Sequence, residues 1–419
     1  MDKEEILKKV KEIVTPYFNK KNNFIPNKTK IGVGSPIYNE DEVTAVLDAL
    51  LETNISQGKV VKNFETLFAD YVKVSYAVAT NSGSSANLMA LTTFIENNDA
   101  KPGDEIIMPA ATFSTVAFPA IQVGLVPVFV DVDRDSYNIS PDEAEKAISN
   151  KTKILMPVHS IGNPCDIGEI KRIADNHGLK ILEDCCEAHG ALVNNKKVGT
   201  YGDMATLSFY VAHNMTTGEG GVILTDNKDY DDLLRSIREF GRTKQEGERF
   251  VKVENLGRYD KKYIFDRLGY NLRMTDLQAS FGIEQFKKLE QFNKKRIENA
   301  NYFIKALSKY EDLIQLPEIR NGTVHTFYSF PFVVKEGAPF TRENIVNFLE
   351  ENLIETRAFF GGCLPDQPAF HNKRIKVIGD LPVSRWIRDS AFFIGCHPGI
   401  EEEERKYIVD KMSSFLGKF

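Results

Sequence analysis

Three short stretches gather residue types that do chemistry. The first is NSGSSANLMAL at 81–91, where Gly83, Ser82, Ser84 and Ser85 stand between an apolar run and an apolar helical period. The start of a helix offers free backbone N–H groups and the positive end of its dipole. With serine hydroxyls added, such a turn can hold a phosphate. It is equally the pattern of an ordinary helix cap. The second is KILEDCCEAHG at 180–190, where an apolar strand ends in Glu183 and Asp184, with Glu187 shortly after. A carboxylate at the C-terminal end of a parallel strand points toward the usual ligand crevice. An aspartate there can pair with a protonated heterocyclic nitrogen, or simply cap the next segment. Cys185 and Cys186 are neighbours, alternate faces of an extended chain, and read as small packing residues. The third is TLSFYVAHNMTTGEGGVILTD at 206–226, with Ser208 and His213 five apart and a glycine-rich loop after them. Histidine titrates near neutrality, at about 6.5 when unperturbed, and is a credible acid–base group. A lone histidine is more often structural, but no apolar face calls for this one. His159 after PV and His325 are weaker candidates, as ready to make a structural hydrogen bond as to touch a ligand. The GVG at 32–34 reads as a turn.

These residues must be carried by regular elements. Short apolar runs at 77–80, 105–109, 127–132, 153–158, 180–184, 205–210 and 221–226 read as buried strands. Helical periods at 84–96, 113–123, 141–149 and 167–177 fall between many of them. The alternation predicts an α/β fold with a mostly parallel, helix-covered sheet of seven strands. A long helical pattern over 274–309 leads to strand-like TFYSFPFVV, a helix at 341–352, a Gly/Pro-rich loop and a final acidic helix from 401. That tail predicts a smaller C-terminal α+β domain. The expected division is an N-terminal extension (1–35), a large domain (36–290) and a small domain (291–419).

Composition bounds the function without naming it. Among 419 residues, 53 basic and 59 acidic side chains leave a charge of −6. That balance argues against a cationic nucleic-acid or membrane-surface binder. With 42% hydrophobic and 27% charged residues, a folded chain is expected rather than disorder. Five cysteines make no secreted disulfide framework. No apolar run is long enough to span a membrane, and MDKEEILKKVKEIV lacks the apolar core of a signal peptide. A cytoplasmic enzyme is expected.

In their order and spacing the three stretches resemble the fold type I pyridoxal-phosphate (PLP) enzymes, and most of all the DegT/StrS sugar-nucleotide aminotransferase family. FETLFADY, PGDEIIMPAATFSTVAFPAI, PVFVDVD, PVHSIGNPCDI and GYNLRMTDLQAS carry the same resemblance, from about residue 35 to the C-terminus. The resemblance implies a role for each matching position. Gly83 and Ser84 match the phosphate-cradling turn, and Ser208 a further phosphate ligand. Phe113 matches the aromatic that stacks on the cofactor ring, and Asp184 the partner of its pyridine nitrogen. Glu187 falls where the aminotransferases usually place a Gln beside the 3-hydroxyl. Asn271 matches a residue that reaches the phosphate from the neighbouring subunit, which implies a homodimer with shared active sites.

One departure changes the expected reaction. The family's Schiff-base lysine would fall at His213. An imidazole cannot make that covalent anchor, yet it can move a proton at the cofactor's 4′ carbon. The change resembles the 3-dehydratases that make 3,6-dideoxy sugars, such as those of lipopolysaccharide O-antigens. It implies pyridoxamine phosphate (PMP) condensing with a nucleotide-linked 4-keto-6-deoxy sugar, loss of the C3 hydroxyl, and L-glutamate regenerating PMP. One kind of these enzymes looks like GDP-4-keto-6-deoxy-mannose 3-dehydratase. The other looks like the CDP-6-deoxy-hexulose dehydrase, which adds an iron–sulfur cluster and a reductase. The N-terminal extension, EDCCEA and KKYIFDRLGYNLRMTD resemble the second kind. Such a cluster usually takes four cysteines, and none occurs between Cys186 and Cys363. No iron–sulfur cluster, no other metal, no nucleic acid and no membrane partner are therefore expected. Contacts to the nucleotide base are expected from variable loops that include 241–269. The competing readings are a catalytically inactive binding protein on the same fold and a reductase-coupled dehydrase.

Overall fold

The computed structural model describes residues 1–19, 24–243, 247–254 and 257–419. Part of the polar stretch after the first helix (20–23) and part of the loop expected to meet the nucleotide (244–246 and 255–256) lie outside the described residues.

The seven expected strands all form, as Tyr76–Thr80 (β1), Glu105–Pro109 (β2), Val126–Val130 (β3), Thr152–Leu155 (β4), Lys180–Asp184 (β5), Met204–Ser208 (β6) and Gly221–Thr225 (β7). They lie in the order β1-β7-β6-β5-β4-β2-β3, and a two-residue strand, Lys376–Val377, joins the β3 edge as an eighth. β7 is antiparallel to both its neighbours, and the other pairings are parallel. Almost every strand residue is buried, as a sheet covered on both faces requires.

Some elements end earlier than the apolar pattern predicts. β4 stops at Leu155, two residues before Pro157, which has no N–H to give a ladder. β3 stops at Val130 because the Asp131 carboxylate turns to the helix Pro382–Ser390, accepting from the N–H groups of Val383 and Ser384 at 2.9 and 2.7 Å. The helix expected over 141–149 covers Pro141–Lys146.

A second, antiparallel sheet holds Ile314–Gln315, Phe330–Val334, Ala391–Ile394 and Thr356–Ala358 side by side. Its core is rich in phenylalanine, including Phe303, Phe327, Phe330, Phe332 and Phe392. Three helices matter below. Lys3–Phe18 (α1) buries no residue and lies along the helix Glu40–Leu51, tied by Lys3–Asp48 at 2.8 Å and Lys11–Asp41 at 2.6 Å. Gly83–Glu96 (α2) is packed inside the larger sheet's core. Asp276–Leu307 (α3) starts in a Thr275/Gln278 capping box, puts Ala279 and Leu289 into the larger core, and delivers Ala300, Phe303 and Leu307 to the smaller one. No described helix is long and apolar enough to cross a membrane.

Candidate active site

Strand register gathers the site. Gly221, the first residue of β7, faces Thr80 at the end of β1 and Ser208 at the end of β6. Asp184, at the end of β5, faces Thr206 two residues before Ser208. The three chemistry-bearing stretches therefore leave the sheet at one end, where α/β sheets bind ligands. They open on a cavity of about 830 Å³. Gly83, Ser84, Phe113, Asp184, Glu187, Ser208 and His213 all line it.

The α2 end of the cavity is shaped for close approach. Ser82 caps the helix, its Oγ accepting from the Ser85 N–H at 3.1 Å, while its carbonyl accepts from Ala86. The N–H groups of Gly83 and Ser84 have no protein acceptor among the described residues. A Cβ on Gly83 would stand 2.5 Å from the Ser208 Cβ and 2.9 Å from its Oγ, so only glycine lets the helix start reach this hydroxyl. A Cβ on Gly221 would meet the Ser82 carbonyl at 2.4 Å, so this backbone crossing needs glycine too.

The middle of the cavity carries the carboxylates. Asp184 is buried and held on both oxygens, from Asn87 Nδ2 at 2.9 Å and from the Cys186 N–H at 3.0 Å. Asn87 is itself oriented by Thr206, whose hydroxyl donates to Asn87 Oδ1 at 2.7 Å. Glu187 accepts from the Ile161 N–H at 2.7 Å. Burial pushes its carboxyl up to about 8, the Ile161 N–H opposes that, and the Asp184 charge adds to it. Phe113 lies at the mouth with 53% of its surface exposed, a large apolar face without cover.

His213 sits in a turn after β6, its N–H bonded to the Tyr210 carbonyl at 3.0 Å. Its ring lies 5.3 Å from the Tyr328 ring and 6.0 Å from that of His189. Nδ1 is buried with no protein partner. Burial, with His189 and the Arg296 charge behind it, holds the imidazole well below its ordinary pKa, so it is neutral at pH 7.

Other candidates fall elsewhere. Asn271 is exposed, outside the cavity of its own chain, and accepts from Arg273 Nε at 3.0 Å. His159 is wholly buried, with Nε2 3.2 Å from Glu183 and Nδ1 accepting from the Cys165 N–H at 3.1 Å. Glu183 also takes the N–H groups of Gly199, Tyr201 and Gly202. Although Cys185 lies close enough to complete a metal-like trio with these two, their atoms are spent on structure. His325 stacks on Phe327 at 3.6 Å and accepts its N–H, and burial lowers its pKa to about 3.

The opposite wall was not anticipated. Tyr328, Glu355, Arg357, Phe360 and Phe393 reach the cavity from the smaller sheet and its connections, and Val33 and Gly34 join them from the segment read as a plain turn. A Cβ on Gly34 would stand 2.7 Å from that of Ala212, so GVG is packed against the His213 turn. Arg357 is the single arginine on the described cavity wall, where no lysine appears.

Residues 36–413 match the DegT/DnrJ/EryC1/StrS aminotransferase family. The chain belongs to this family. It is 35% identical to the lipopolysaccharide biosynthesis protein RfbH of Salmonella typhimurium, covering 100% of this chain and 99% of that one. It is 36% identical to a dTDP-4-dehydro-2,6-dideoxy-D-glucose 3-dehydratase of Saccharopolyspora spinosa, over 94% of this chain and 88% of that one. The structure of an E. coli GDP-4-keto-6-deoxy-D-mannose-3-dehydratase with bound hydrated PLP superposes with a TM-score of 0.83 at 30% identity, covering 91% and 98% of the two chains. The fold is that of the type I PLP aminotransferases. The DegT-family cavity described here fits such a cofactor on its own geometry. The Gly83 cradle and its free N–H groups suit a phosphate, the buried Asp184 carboxylate suits a ring nitrogen, and the bare Phe113 face suits a stacked ring.

Proposed function

We propose that this chain is a PLP/PMP-dependent 3-dehydratase. Its substrate would be a nucleotide-linked 4-keto-6-deoxy sugar, its product the 3,6-dideoxy-4-keto sugar, and L-glutamate its amino donor. The observation that carries this is His213: a neutral imidazole with an unpaired Nδ1, on a cavity wall whose described residues include no lysine.

Bound as PMP, the cofactor supplies an amine for the C4 ketone and a ring that stores an electron pair. The protein's residues do the rest. The N–H groups of Gly83 and Ser84, with the Ser84 and Ser208 hydroxyls, hold the phosphate. Asp184, fixed by Asn87, keeps the ring nitrogen protonated. Glu187 is protonated at neutral pH, so it donates to the 3-hydroxyl oxygen as a glutamine amide would. Phe113 covers the ring. His213 takes the proton from the 4′ carbon, a task that needs the unprotonated imidazole. Without an amine side chain at this position, nothing stays covalently attached to the cofactor between turnovers.

We read residues 36–290 as the cofactor-binding domain and 291–419 as the smaller one. A homodimer with shared sites completes the reading, with Asn271 reaching the partner's phosphate. Around Asn271 the chain leaves Tyr263, Phe265, Leu268 and Tyr270 exposed, apolar surface of the kind a second subunit covers. The reading assigns no iron–sulfur cluster. Cys165, Cys185, Cys363 and Cys396 are buried in four different hydrophobic clusters, and Cys186 is alone in the cavity.

The test is borohydride reduction of the PLP-loaded protein followed by peptide mapping. PLP should remain releasable, and L-glutamate should convert its absorbance to that of PMP. Reductive fixation of PLP to any lysine of the chain contradicts the proposal.

A further inference from the structure

Arg296 is a buried cation with no carboxylate partner among the described residues. It is 2% exposed, on the inner face of α3. Its guanidinium donates only to backbone carbonyls: Tyr328 at 2.7 Å, Phe327 at 3.2 Å and His213 at 3.2 Å. Its Nε has no partner. Taking a charge out of water is costly unless the charge is used or paired, and a helix packed between two cores has no structural need of one here.

The neighbours along α3 show what the row does. Asn293, Arg296 and Asn299 are three apart, so they line one face of the helix. Asn293 holds the His189 carbonyl at 2.7 Å and the Asn214 side chain at 2.9 Å. Asn299 donates to the His397 carbonyl at 3.1 Å and lies against those of Cys396 and Ile400. Each polar residue grips an irregular segment. Asn293 ties the His213 turn to the loop of His189, and Arg296 ties the same turn to the segment whose Tyr328 ring packs on the His213 imidazole.

We infer that Arg296 is a positioning residue for His213: it fixes the turn that carries the imidazole and keeps a permanent positive charge behind it, so that the ring stays an unprotonated base. The inference rests on the role given to His213 above. Other groups around the ring do not supply this charge. His189, from the loop after β5, also disfavours the imidazolium, but burial holds it at about 3, so it is neutral itself and supplies no permanent charge. Tyr328 is pushed up by burial and stays neutral, and Tyr210, on the same turn, lies 6.2 Å away. The Asp184 carboxylate, which shares the cavity with Glu187, Glu219, Glu355 and Arg357, would favour protonation of the imidazole. Arg296 acts against that pull.

The experiment is a histidine NMR titration of the full chain without cofactor, with the His213 signal assigned by its loss in His213→Gln. Wild type, Arg296→Met and Arg296→Lys are compared. Removing the charge should raise the His213 midpoint by about one pH unit or more. Lysine should keep the midpoint low, because it keeps the charge, but lower kcat because its single nitrogen lacks the planar fork that reaches both segments. An unchanged midpoint in folded Arg296→Met, or a raised midpoint in Arg296→Lys, overturns the inference. If Arg296→Met does not fold, Arg296→Gln, neutral but still able to donate, is titrated instead under the same criteria. The role of His213 is checked separately: if His213→Gln keeps the glutamate-driven formation of PMP at the wild-type rate, the base assignment fails while the titration still reports on Arg296.

Discussion

The two walls of the cavity were built by different rules. One is the end of the larger sheet, where Gly83, Asp184, Ser208 and His213 sit at or just beyond buried strand ends. Hydrogen bonds hold these groups in fixed positions, as when Asn87 and Cys186 grip Asp184. The other wall comes from the smaller sheet: Arg357 lies within the strand Thr356–Ala358, Glu355 stands just before it and accepts from the Val33 N–H, and Phe360 follows just after. Arg357 pairs with Glu355 yet remains largely exposed. On the proposed reading the contrast separates the roles: the hydrogen-bonded wall would do the chemistry, and the more open one would meet the substrate. Changes to the first should reduce kcat, and changes to the second should raise KM.

The sharpest way to break that division is at His213. His213→Gln should lower kcat by ~10²–10⁴-fold, the usual worth of a general base, with the fold intact by circular dichroism. His213→Lys should make PLP fixable by borohydride. Next comes Asp184→Ala, which leaves the Cys186 N–H unpaired and weakens the hold on Asn87 at a cost of about 1–3 kcal/mol in stability. It also removes the ring's counter-charge, with a loss of about 10²-fold in turnover. A thermal melt and a single-turnover assay separate the two. Gly83→Ala must push against Ser208 and should cost about 1–3 kcal/mol, read as weaker PLP retention on dialysis. On the other wall, Arg357→Gln should raise KM for an anionic reactant about tenfold, the scale of one charge-assisted hydrogen bond, while kcat holds. A fall in kcat there instead would erase the distinction between the walls.

A separate prediction, on stability alone, is a pH slope. The raised Glu187 carboxyl, at about 8 against an ordinary 4.5, keeps a proton that the unfolded chain has already lost. In the cofactor-free protein its contribution to stability therefore falls as pH rises from about 4.5 to 8. Glu187→Gln should flatten that part of the melting-temperature profile and leave the acid side unchanged.

The same division explains what was legible in the sequence. That wall could be read because each stretch runs unbroken from a strand into a turn: strand, turn and helix at 76–96, strand and turn at 180–190, and strand, turn and strand at 204–226. Each apolar run announces the strand and each polar residue its end. Residue type alone left Asp184 and His213 open to plain structural roles, and it was the family resemblance that gave them functions. Tyr328, Arg357 and Phe360 gave no such signal, because they come to the cavity only when the smaller sheet docks. The residues they face across the cavity lie more than a hundred positions earlier in the chain. Gly34 was read as a turn because its partner, Ala212, lies far along the chain. Arg296 did leave a trace: polar residues at 293, 296 and 299 interrupt an otherwise amphipathic helix at a spacing of three. What lay beyond the sequence was that all three side chains turn inward.

A histidine in the lysine position should end the reaction in loss of oxygen rather than gain of nitrogen. The direct measurement is product analysis after incubation of the PLP-loaded protein with L-glutamate and CDP-, GDP- and dTDP-linked 4-keto-6-deoxy sugars. Free ammonia should appear in step with a 3-deoxy-4-keto sugar from at least one of them. A stable 4-amino sugar with no free ammonia would contradict it and make the protein an aminotransferase.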